Sequence, residues 1–485
     1  MNKDLLLYEK SRPGHRTLRL GKLDVPEADL SLLPEGSQRV TPPTLPEIGE
    51  LDLIRHYVLL SKKNVSIADS FYPLGSCTMK YNPVTNEHIV TWPGFADIHP
   101  EMDAGRVQGA LRIMKTLSDG LAAITGLPGV TLHPAAGAQG ELAALLVAHK
   151  HFHKTGQDGR TKVLIPDSAH GTNPASAMIA GFEAVEIKSG SDGLVDLADL
   201  ESKLGDDTAV LMITNPSTLG LFETNIARIS ELVHGAGGLV YMDGANLNAI
   251  MGVARPADFG VDMMHINLHK TFSTPHGGGG PGAGPICVTD ELTTYLPSPR
   301  VVEEEDGLSL DYDSPDSIGM LRGWPGNFGV LARAYAYLRR LGAEGVKRVA
   351  ENAVLNANYI RVKLNDAYHV PYDRMCMHEF VCNNKKQKEF GIHALDVAKR
   401  LIDLGYHPMT IYFPLVVSEA MMIEPTETES KHTLDAFIED MLLIAEEAKT
   451  DPDKLHAAPV TRSIGRLDEG RAVRDPQLRW TCRKG

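Results

Sequence analysis

The sequence predicts an α/β protein whose main domain is built on a large, mostly parallel β-sheet. Between about residues 91 and 345, short apolar segments alternate with helical patterns, which is typical of parallel strands joined by covering helices. From about residue 346, a long helix at 346–367 opens a smaller α+β region with predicted strands at 379–382 and 410–414. In the larger region, polar residues follow several strands directly. The predicted strands of that region are 162–166, 184–188, 209–214, 238–242, 263–268 and 285–289.

The two ends of the chain lack this regular pattern. The first 90 residues are rich in proline and weakly periodic, which indicates an extended N-terminal arm with one short helix at 47–61. The end of the chain is rich in charge and proline and reads as an irregular tail. The predicted organisation is therefore an arm (1–90), a large domain (91–345), a small C-terminal α+β domain (346–450) and a tail (451–485). A chain of 485 residues, 43% hydrophobic, can fill the cores of more than one domain.

Composition narrows the functional class. A net charge of −14 argues against a nucleic-acid partner, since binding to a phosphate backbone needs clustered basic residues. The N-terminus has only a three-leucine run before charges return, and no stretch approaches the roughly 18 apolar residues that span a bilayer. An odd number of scattered cysteines favours a reducing compartment over a disulfide framework. We therefore expect a cytoplasmic protein that binds neither membrane nor nucleic acid; its five cysteines are Cys77, Cys287, Cys376, Cys382 and Cys482.

Lys270 is the first candidate catalytic residue. It follows the predicted strand 263–268, and a glycine run at 277–280 comes soon after it. A lysine in this place can form a Schiff base with an aldehyde cofactor, and glycines let backbone and ligand approach closely. Taken alone, the segment is also typical of a solvated lysine beside a mobile surface loop. The interpretation therefore depends on residues upstream.

Asp243 closes the predicted strand 238–242, and Lys270 follows it by 27 positions, after a further strand. A pyridine nitrogen stays protonated beside a buried anion, and the protonated ring is the electron sink of pyridoxal phosphate (PLP). An acidic residue also closes many strands without any such role. Open α/β sheets bind ligands at the carboxyl ends of their strands, so we predict that Asp243 and Lys270 face one cofactor.

A phosphate site is predicted where Gly137, Ala138 and Gln139 lead into the alanine-rich helix 142–149. Small residues at the start of a helix expose unpaired N–H groups and the positive end of the helix dipole, which suits a phosphate. A plain loop that starts a helix is the alternative.

Two further strands end in polar residues. After the strand 162–166, His170 could lie flat on a pyridine ring and Thr172 could donate to the ring oxygen, although a lone histidine is more often structural or a metal ligand. After the strand 209–214, Asn215 is placed for a polar contact with a cofactor, or forms an ordinary turn.

Five motifs make the chain similar to the glycine cleavage system P-protein family, in its two-chain form to the PLP-bearing subunit 2. The similarity extends over nearly the whole chain. The first, fourth and last motifs are specific to this family among PLP enzymes. The motifs are Leu74-Gly-Ser-Cys77-Thr-Met-Lys80-Tyr-Asn-Pro, Ala169-His-Gly-Thr-Asn-Pro174, Met242-Asp-Gly-Ala-Asn246, Asn267-Leu-His-Lys-Thr-Phe272 and Met422-Ile-Glu-Pro-Thr-Glu-Thr-Glu429.

This resemblance implies a PLP-dependent enzyme of fold type I, the aspartate-aminotransferase-like fold. Lys270 would hold the cofactor, Asp243 would keep its ring nitrogen protonated, and His170 and Ala245 would cover the two ring faces. The phosphate would bind the amides after Gly137. Gln139 would add a further contact to the phosphate. His269 would reach the phosphate or a substrate proton, or would only pack against its neighbours.

The resemblance also implies the reaction and the partners. Glycine would lose CO₂, and the aminomethyl group would pass to the lipoyl arm of the small H-protein. A homologous subunit 1 that lacks the lysine would complete an obligate hetero-oligomer with two copies of each subunit.

Three alternatives remain at this stage. An aminotransferase or lyase could use the same residues, but an aminotransferase usually needs an arginine for the substrate carboxylate, and the sequence does not assign Arg322 to it. A catalytically silent subunit could bind PLP only to stabilise an assembly. A metal hydrolase could use His265, His269 and His276, although on a strand the first two lie roughly 13 Å apart, too far to share one ion.

Overall fold

The structure, a computed structural model, describes residues 5–15, 21–22, 24–41, 43–276 and 282–479. It contains two compact units, one formed by residues 1–66 with 466–485 and the other by residues 67–465. The described α-helices, in chain order, are α1 (Leu7–Lys10), α2 (Glu50–Ser61), α3 (Val84–Val90), α4 (Pro93–Ala96), α5 (Gln108–Thr125), α6 (Gly137–Lys154), α7 (Thr172–Ile179), α8 (Leu197–Lys203), α9 (Ile226–Gly235), α10 (Leu268–Thr271), α11 (Phe328–Leu364), α12 (Ala394–Asp403), α13 (Lys431–Thr450), α14 (Pro452–Ala457) and α15 (Glu469–Arg474). Among these residues, no helix has both the length and the apolar composition needed to cross a bilayer.

Three sheets contain all the described strands. The strands are β1 (Gly129–Thr131), β2 (Lys162–Pro166), β3 (Glu183–Ile187), β4 (Thr208–Thr214), β5 (Leu239–Gly244), β6 (Met263–Ile266), β7 (Ile286–Val288), β8 (Arg300–Glu304), β9 (Gly307–Asp311), β10 (Phe380–Asn383), β11 (Thr410–Ile411) and β12 (Ala420–Ile423).

The largest sheet has seven strands in the order β1-β7-β6-β5-β4-β2-β3. Strands β3, β2, β4, β5 and β6 run parallel, and β7 and β1 are antiparallel at one edge. The predicted α/β class with a mostly parallel sheet is confirmed. All six predicted strands lie within two residues of their observed bounds; the largest differences are at the carboxyl ends of β5, which runs on to Gly244, and of β6, which ends at Ile266.

Helices cover both faces of this sheet. Along β4, Leu211 and Ile213 belong to one hydrophobic cluster while Val210 and Met212 belong to another, as the two-residue period of a strand requires. The first cluster includes residues of α5, α9 and α11, and the second includes residues of α6 and α7. A strand buried on both faces must be apolar throughout, which explains why β4 is an unbroken apolar run.

A separate core lies under the three-stranded antiparallel sheet β10-β12-β11. It is filled from the second half of α11 and from α12, α13 and α14. The predicted helix 346–367 is the second half of α11, which begins at Phe328 and contains one non-helical residue, Gly342, at φ 61°.

The observed units do not follow the predicted boundaries at residues 90 and 450. Residues 67–90 and 451–465 lie in the larger unit, and Leu455 of α14 is fully buried in the core under the three-stranded sheet. The predicted helix of the arm is present as α2, which begins at Glu50. The division into an arm, two domains and a tail remains a prediction.

Gly220 marks a close approach between the loop after β4 and the start of β10. It adopts φ +73°, and a Cβ there would lie 1.9 Å from the carbonyl oxygen of Glu379. We expect Gly220→Ala to lower the free energy of unfolding by about 2–5 kcal/mol, from left-handed strain plus overpacking.

The matched control is Gly156→Ala, which has the same φ of +73° but no atom within 4 Å of the added Cβ. Only the conformational cost of about 1–2 kcal/mol remains there. Urea unfolding of both variants measures the difference. Equal losses would contradict a tight contact at Gly220.

Candidate active site

A cavity of about 260 Å³ opens at the carboxyl ends of β2, β4, β5 and β6. Parallel strands bring residues distant in sequence to this one edge, where open α/β sheets bind ligands. The lining residues include Ser76, Gly137, Ala138, Glu141, His170, Thr172, Thr214, Thr218, Asp243, Ala245, Asn246, His265, Asn267, His269, Lys270, His378 and Glu379.

Lys270 lines the cavity, but not from a strand. The strand β6 ends at Ile266, and Lys270 lies on the single helical turn α10, so the predicted strand 263–268 is two residues too long. Its amine donates to the carbonyl oxygen of Ser76 at 2.7 Å. The glycine run 277–280, which the sequence also linked to this site, lies outside the described residues.

Asp243 lies at the end of β5 and is only 4% exposed. Its Oδ1 accepts the backbone N–H of Ala245 at 2.9 Å and lies 3.6 Å from Nε2 of His265. Asp243 and Lys270 line the same cavity, as the order of their strands predicts. A buried carboxylate is the kind of group that can hold a pyridine nitrogen protonated.

The other end of the cavity suits a phosphate. Helix α6 begins at Gly137, and the residue before it, Ala136, has no side chain that could satisfy the first N–H groups. A Cβ at Gly137 would lie 2.5 Å from Oδ1 of Asn267, so only glycine leaves room at this helix start.

His269 lines the same cavity. Its Nδ1 is buried and, among the atoms of the described residues, has no hydrogen-bond partner. Burial, followed by the nearby His276 and Lys270, lowers the pKa of His269 to about 4. The ring is therefore neutral at physiological pH and can accept or donate a hydrogen bond.

His170 lies in the loop after β2, and Thr172 is the first residue of α7. The Thr172 hydroxyl oxygen is 2.8 Å from Nδ1 of His170, and the backbone N–H of Thr172 donates to that same nitrogen at 3.2 Å. The ring of Phe413 meets the His170 ring edge-on, with centroids 5.8 Å apart. These contacts orient an otherwise exposed imidazole beside the cavity.

Two predicted cofactor-binding residues use their side chains elsewhere. Gln139 accepts the backbone N–H of Ala135 at 2.7 Å and donates to the carbonyl of Leu321 at 3.3 Å, so its side chain braces the helix start from outside the cavity. Asn215 is buried, accepts the backbone N–H of Glu223 at 3.0 Å, and does not line the cavity.

Two carboxylates that the sequence did not assign to the site hold the segment around residue 76, and one of them, Glu379, lines the cavity. Glu379 accepts the backbone N–H of Ser76 at 2.7 Å, and Glu424 accepts that of Thr78 at 3.0 Å. Ser76 and Thr78 both have positive φ, 64° and 53°, a strained conformation that is held by these contacts. The motif around residue 76 was visible in the sequence, but its carboxylate partners lie more than 300 residues away.

Lys80 anchors the same segment of the chain. It is buried, and its amine donates to Glu427 at 2.8 Å and to Asn248 and Tyr337 at 3.1 Å. Burial lowers the pKa of Lys80, but the negative charge of Glu427, with Tyr337 and the hydrogen bonds to both, outweighs burial, so the pKa is raised. We expect Lys80→Met to lower the free energy of unfolding by about 3–5 kcal/mol, because it leaves the Glu427 carboxylate buried without its cation.

The control is Lys115→Met, which removes an exposed 2.6 Å ion pair with Asp119 on one helix face. That change is expected to cost less than about 1 kcal/mol. Thermal denaturation compares the two variants. A Lys80→Met protein as stable as the control variant would refute the proposed anchoring role.

The described cavity supports an aminotransferase or a metal hydrolase less well than it supports the predicted PLP site. No arginine is found among its described lining residues, and Arg322 instead donates to Asn327 at 2.8 Å. His265 lies on β6 and His269 on α10, and the rings of His269 and His276 pack edge-on with centroids 5.4 Å apart.

The residues present fit pyridoxal phosphate: an amine, a buried carboxylate, an orientable imidazole and an uncapped helix start surround one cavity. Residues 137–297 match the family model described as aminotransferase class-V. The fold resembles a crystal structure of glycine decarboxylase (P-protein) of the glycine cleavage system, with a TM-score of 0.73, 20% identity, and coverage of 85% of this chain and 94% of that one. A NifS-like protein aligns with a TM-score of 0.61, 14% identity, and coverage of 78% and 99%. Fold and site together define a PLP enzyme of fold type I.

Sequence relatives specify the family further. Residues 349–458 match the model described as glycine dehydrogenase, C-terminal domain. Proteins named "Probable glycine dehydrogenase (decarboxylating) subunit 2" are 55% identical in Halalkalibacterium halodurans, over 99% of both chains, and 54% identical in Listeria innocua, over 98% of both. The one from Caldanaerobacter subterraneus is 54% identical over 98% of both chains. The chain belongs to the glycine dehydrogenase (decarboxylating) subunit 2 family.

Proposed function

We propose that this chain is the PLP-bearing subunit of a two-chain glycine decarboxylase. It removes CO₂ from glycine and transfers the remaining aminomethyl group to the lipoyl arm of H-protein. The observation that carries the proposal is the convergence of Lys270 and Asp243 on one cavity, in a chain that is more than half identical to the named subunits.

Pyridoxal phosphate would supply an aldehyde carbon that binds amines and a ring that accepts the electron pair left by a departing carboxylate. Lys270 provides the amine for attachment and, when released, a group that can carry protons. Its 2.7 Å contact with the Ser76 carbonyl supports this role, because it would keep a free amine within the cavity.

The remaining residues would orient and hold the cofactor. Asp243, buried at the end of β5, would favour a positive charge on the ring nitrogen. His170 would cover one ring face, and the small Ala245 would leave room on the other. The first amides of α6, at Gly137 and Ala138, would hold the phosphate, as the helix dipole favours.

The partners are proposed from family membership. The subunit 2 name of the relatives implies a subunit 1 and the glycine cleavage system. We propose a hetero-oligomer with two copies of each subunit, with the lipoylated H-protein as the carrier. A cytoplasmic location agrees with free thiols at Cys77, Cys287, Cys376 and Cys382.

The test is glycine-dependent exchange of labelled bicarbonate by the purified chain with subunit 1 and lipoylated H-protein. We expect exchange only when all components and PLP are present, and none when either protein partner is omitted.

The same preparation separates the competing functions. Amine transfer from alanine or aspartate to a keto acid, without bicarbonate exchange, would make the chain an aminotransferase. Exchange that survives Lys270→Ala would assign the chain a structural role in the assembly.

A further inference from the structure

Glu141 is a buried carboxyl group that the proposed function does not use. It lies in the first turns of α6, is 4% exposed, and lines the cavity together with Asp243. In the amide orientation that matches its surroundings, Asn173 bridges the two carboxyls, donating to Asp243 at 3.2 Å and to Glu141 at 3.3 Å. Two negative charges so close together in a buried place would repel strongly, so one carboxyl is expected to hold a proton.

Hydrogen-bond geometry identifies which of the two carboxyls holds the proton. The backbone N–H of Thr172 can only donate, and it donates to Nδ1 of His170, so that nitrogen carries no proton. The Thr172 hydroxyl, 2.8 Å from the same nitrogen, must therefore donate its one hydrogen there. The hydroxyl oxygen also lies 2.8 Å from Oε1 of Glu141, and with its hydrogen already used this contact needs a hydrogen on the carboxyl.

Electrostatics agree with this assignment. Burial, followed by the charge of Asp243, raises the pKa of Glu141 to about 7, while the hydrogen bond from Ser176 and the nearby Lys270 act in the opposite direction. The other titratable groups of this network are Tyr241, His265 and His170. The first two hydrogen-bond each other at 2.5 Å.

We propose that Glu141 is a neutral carboxylic acid and a positioning residue: through Thr172 it holds His170 with its proton on Nε2, and it leaves Asp243 as the single ionised carboxylate at the ring-nitrogen site. That Asp243 faces a ring nitrogen rests on the proposed function. The protonation of Glu141 does not, because it follows from contacts within this chain.

Infrared spectroscopy of the full-length chain, without substrate or partners, tests the protonation directly. The difference spectrum between wild type and Glu141→Gln at neutral pH should contain the C=O band of a protonated carboxylic acid. In wild type that band should disappear as the pH is raised through about 7. The matched control is Glu223→Gln, a buried carboxyl whose oxygens accept the backbone N–H groups of Val195 and Asn225. It should remove no such band.

Histidine NMR of the same chain tests the positioning role and needs no change at Glu141. With the signal assigned by His170→Gln, neutral His170 should carry its proton on Nε2. Glu141→Gln should keep this tautomer and keep PLP affinity within about fivefold, since an amide N–H donates to Thr172 as the acid does. Glu141→Ala should lose the fixed tautomer.

Three results would overturn the proposal: a carboxylic acid band that survives Glu141→Gln, a band removed by Asp243→Asn instead, or a wild-type His170 with its proton on Nδ1. None of them would affect bicarbonate exchange as evidence for the proposed function.

Discussion

Replacing Lys270 by alanine is expected to abolish glycine-dependent bicarbonate exchange, with a loss of at least about 10³-fold. The change removes both the amine that would attach the cofactor and the group placed to move protons at the substrate. The assay is exchange by the complete system, with PLP content measured by absorbance before and after gel filtration.

Two further measurements separate lost chemistry from lost folding. Lys270→Arg keeps a cation beside the Ser76 carbonyl but offers no primary amine for attachment, so it should be as inactive as the alanine variant. A small primary amine added to Lys270→Ala should restore part of the exchange, because it replaces the missing nitrogen in the space left by the side chain. Exchange at the wild-type rate by either variant, without added amine, would contradict the role of Lys270.

Replacing Asp243 by asparagine is expected to slow exchange by about two orders of magnitude. A neighbouring opposite charge shifts a pKa by about 1–3 units, so loss of the carboxylate should lower the protonated fraction of the cofactor ring by a corresponding factor. Asparagine has nearly the same size, and its carbonyl oxygen can still accept the N–H of Ala245, so the fold should be retained.

Spectroscopy tests the cause of this loss. In Asp243→Asn the absorbance of bound PLP should titrate at a lower pH than in wild type. Asp243→Glu is the informative control, because it restores the charge at a changed distance and should recover part of the rate. A variant with wild-type exchange and an unchanged titration would show that Asp243 does not face the ring nitrogen.

The sequence was sufficient to predict that Asp243 and Lys270 line one cavity, because the physics behind their placement is local. Asp243 lies at the end of β5 and Lys270 follows β6, and a parallel sheet brings the carboxyl ends of its strands to one edge. The strands themselves were recognisable because β2, β4 and β5 are apolar runs bounded by polar residues. Four observed strands, β1, β8, β9 and β12, were not predicted. In β12, Ala420–Ile423, alanine and methionine lack the β-branched side chains that mark a strand.

The rest of the site depends on contacts between distant segments. Glu141 looks like an ordinary helical carboxylate until Thr172 and Ser176 of α7 pack against it, more than 30 residues away. Gln139 stands at the right place in the sequence for a phosphate, but the carbonyl of Leu321, 182 residues later, takes its amide. Local spacing could not predict either outcome, because each depends on which helix packs where.

The proposed function depends on the covalent attachment of PLP to one lysine, Lys270. Purified chain loaded with PLP, reduced with borohydride and digested, should yield a single pyridoxyl-labelled peptide carrying the label on Lys270. A label on another lysine, or none on a chain that retains bound PLP, would contradict the account.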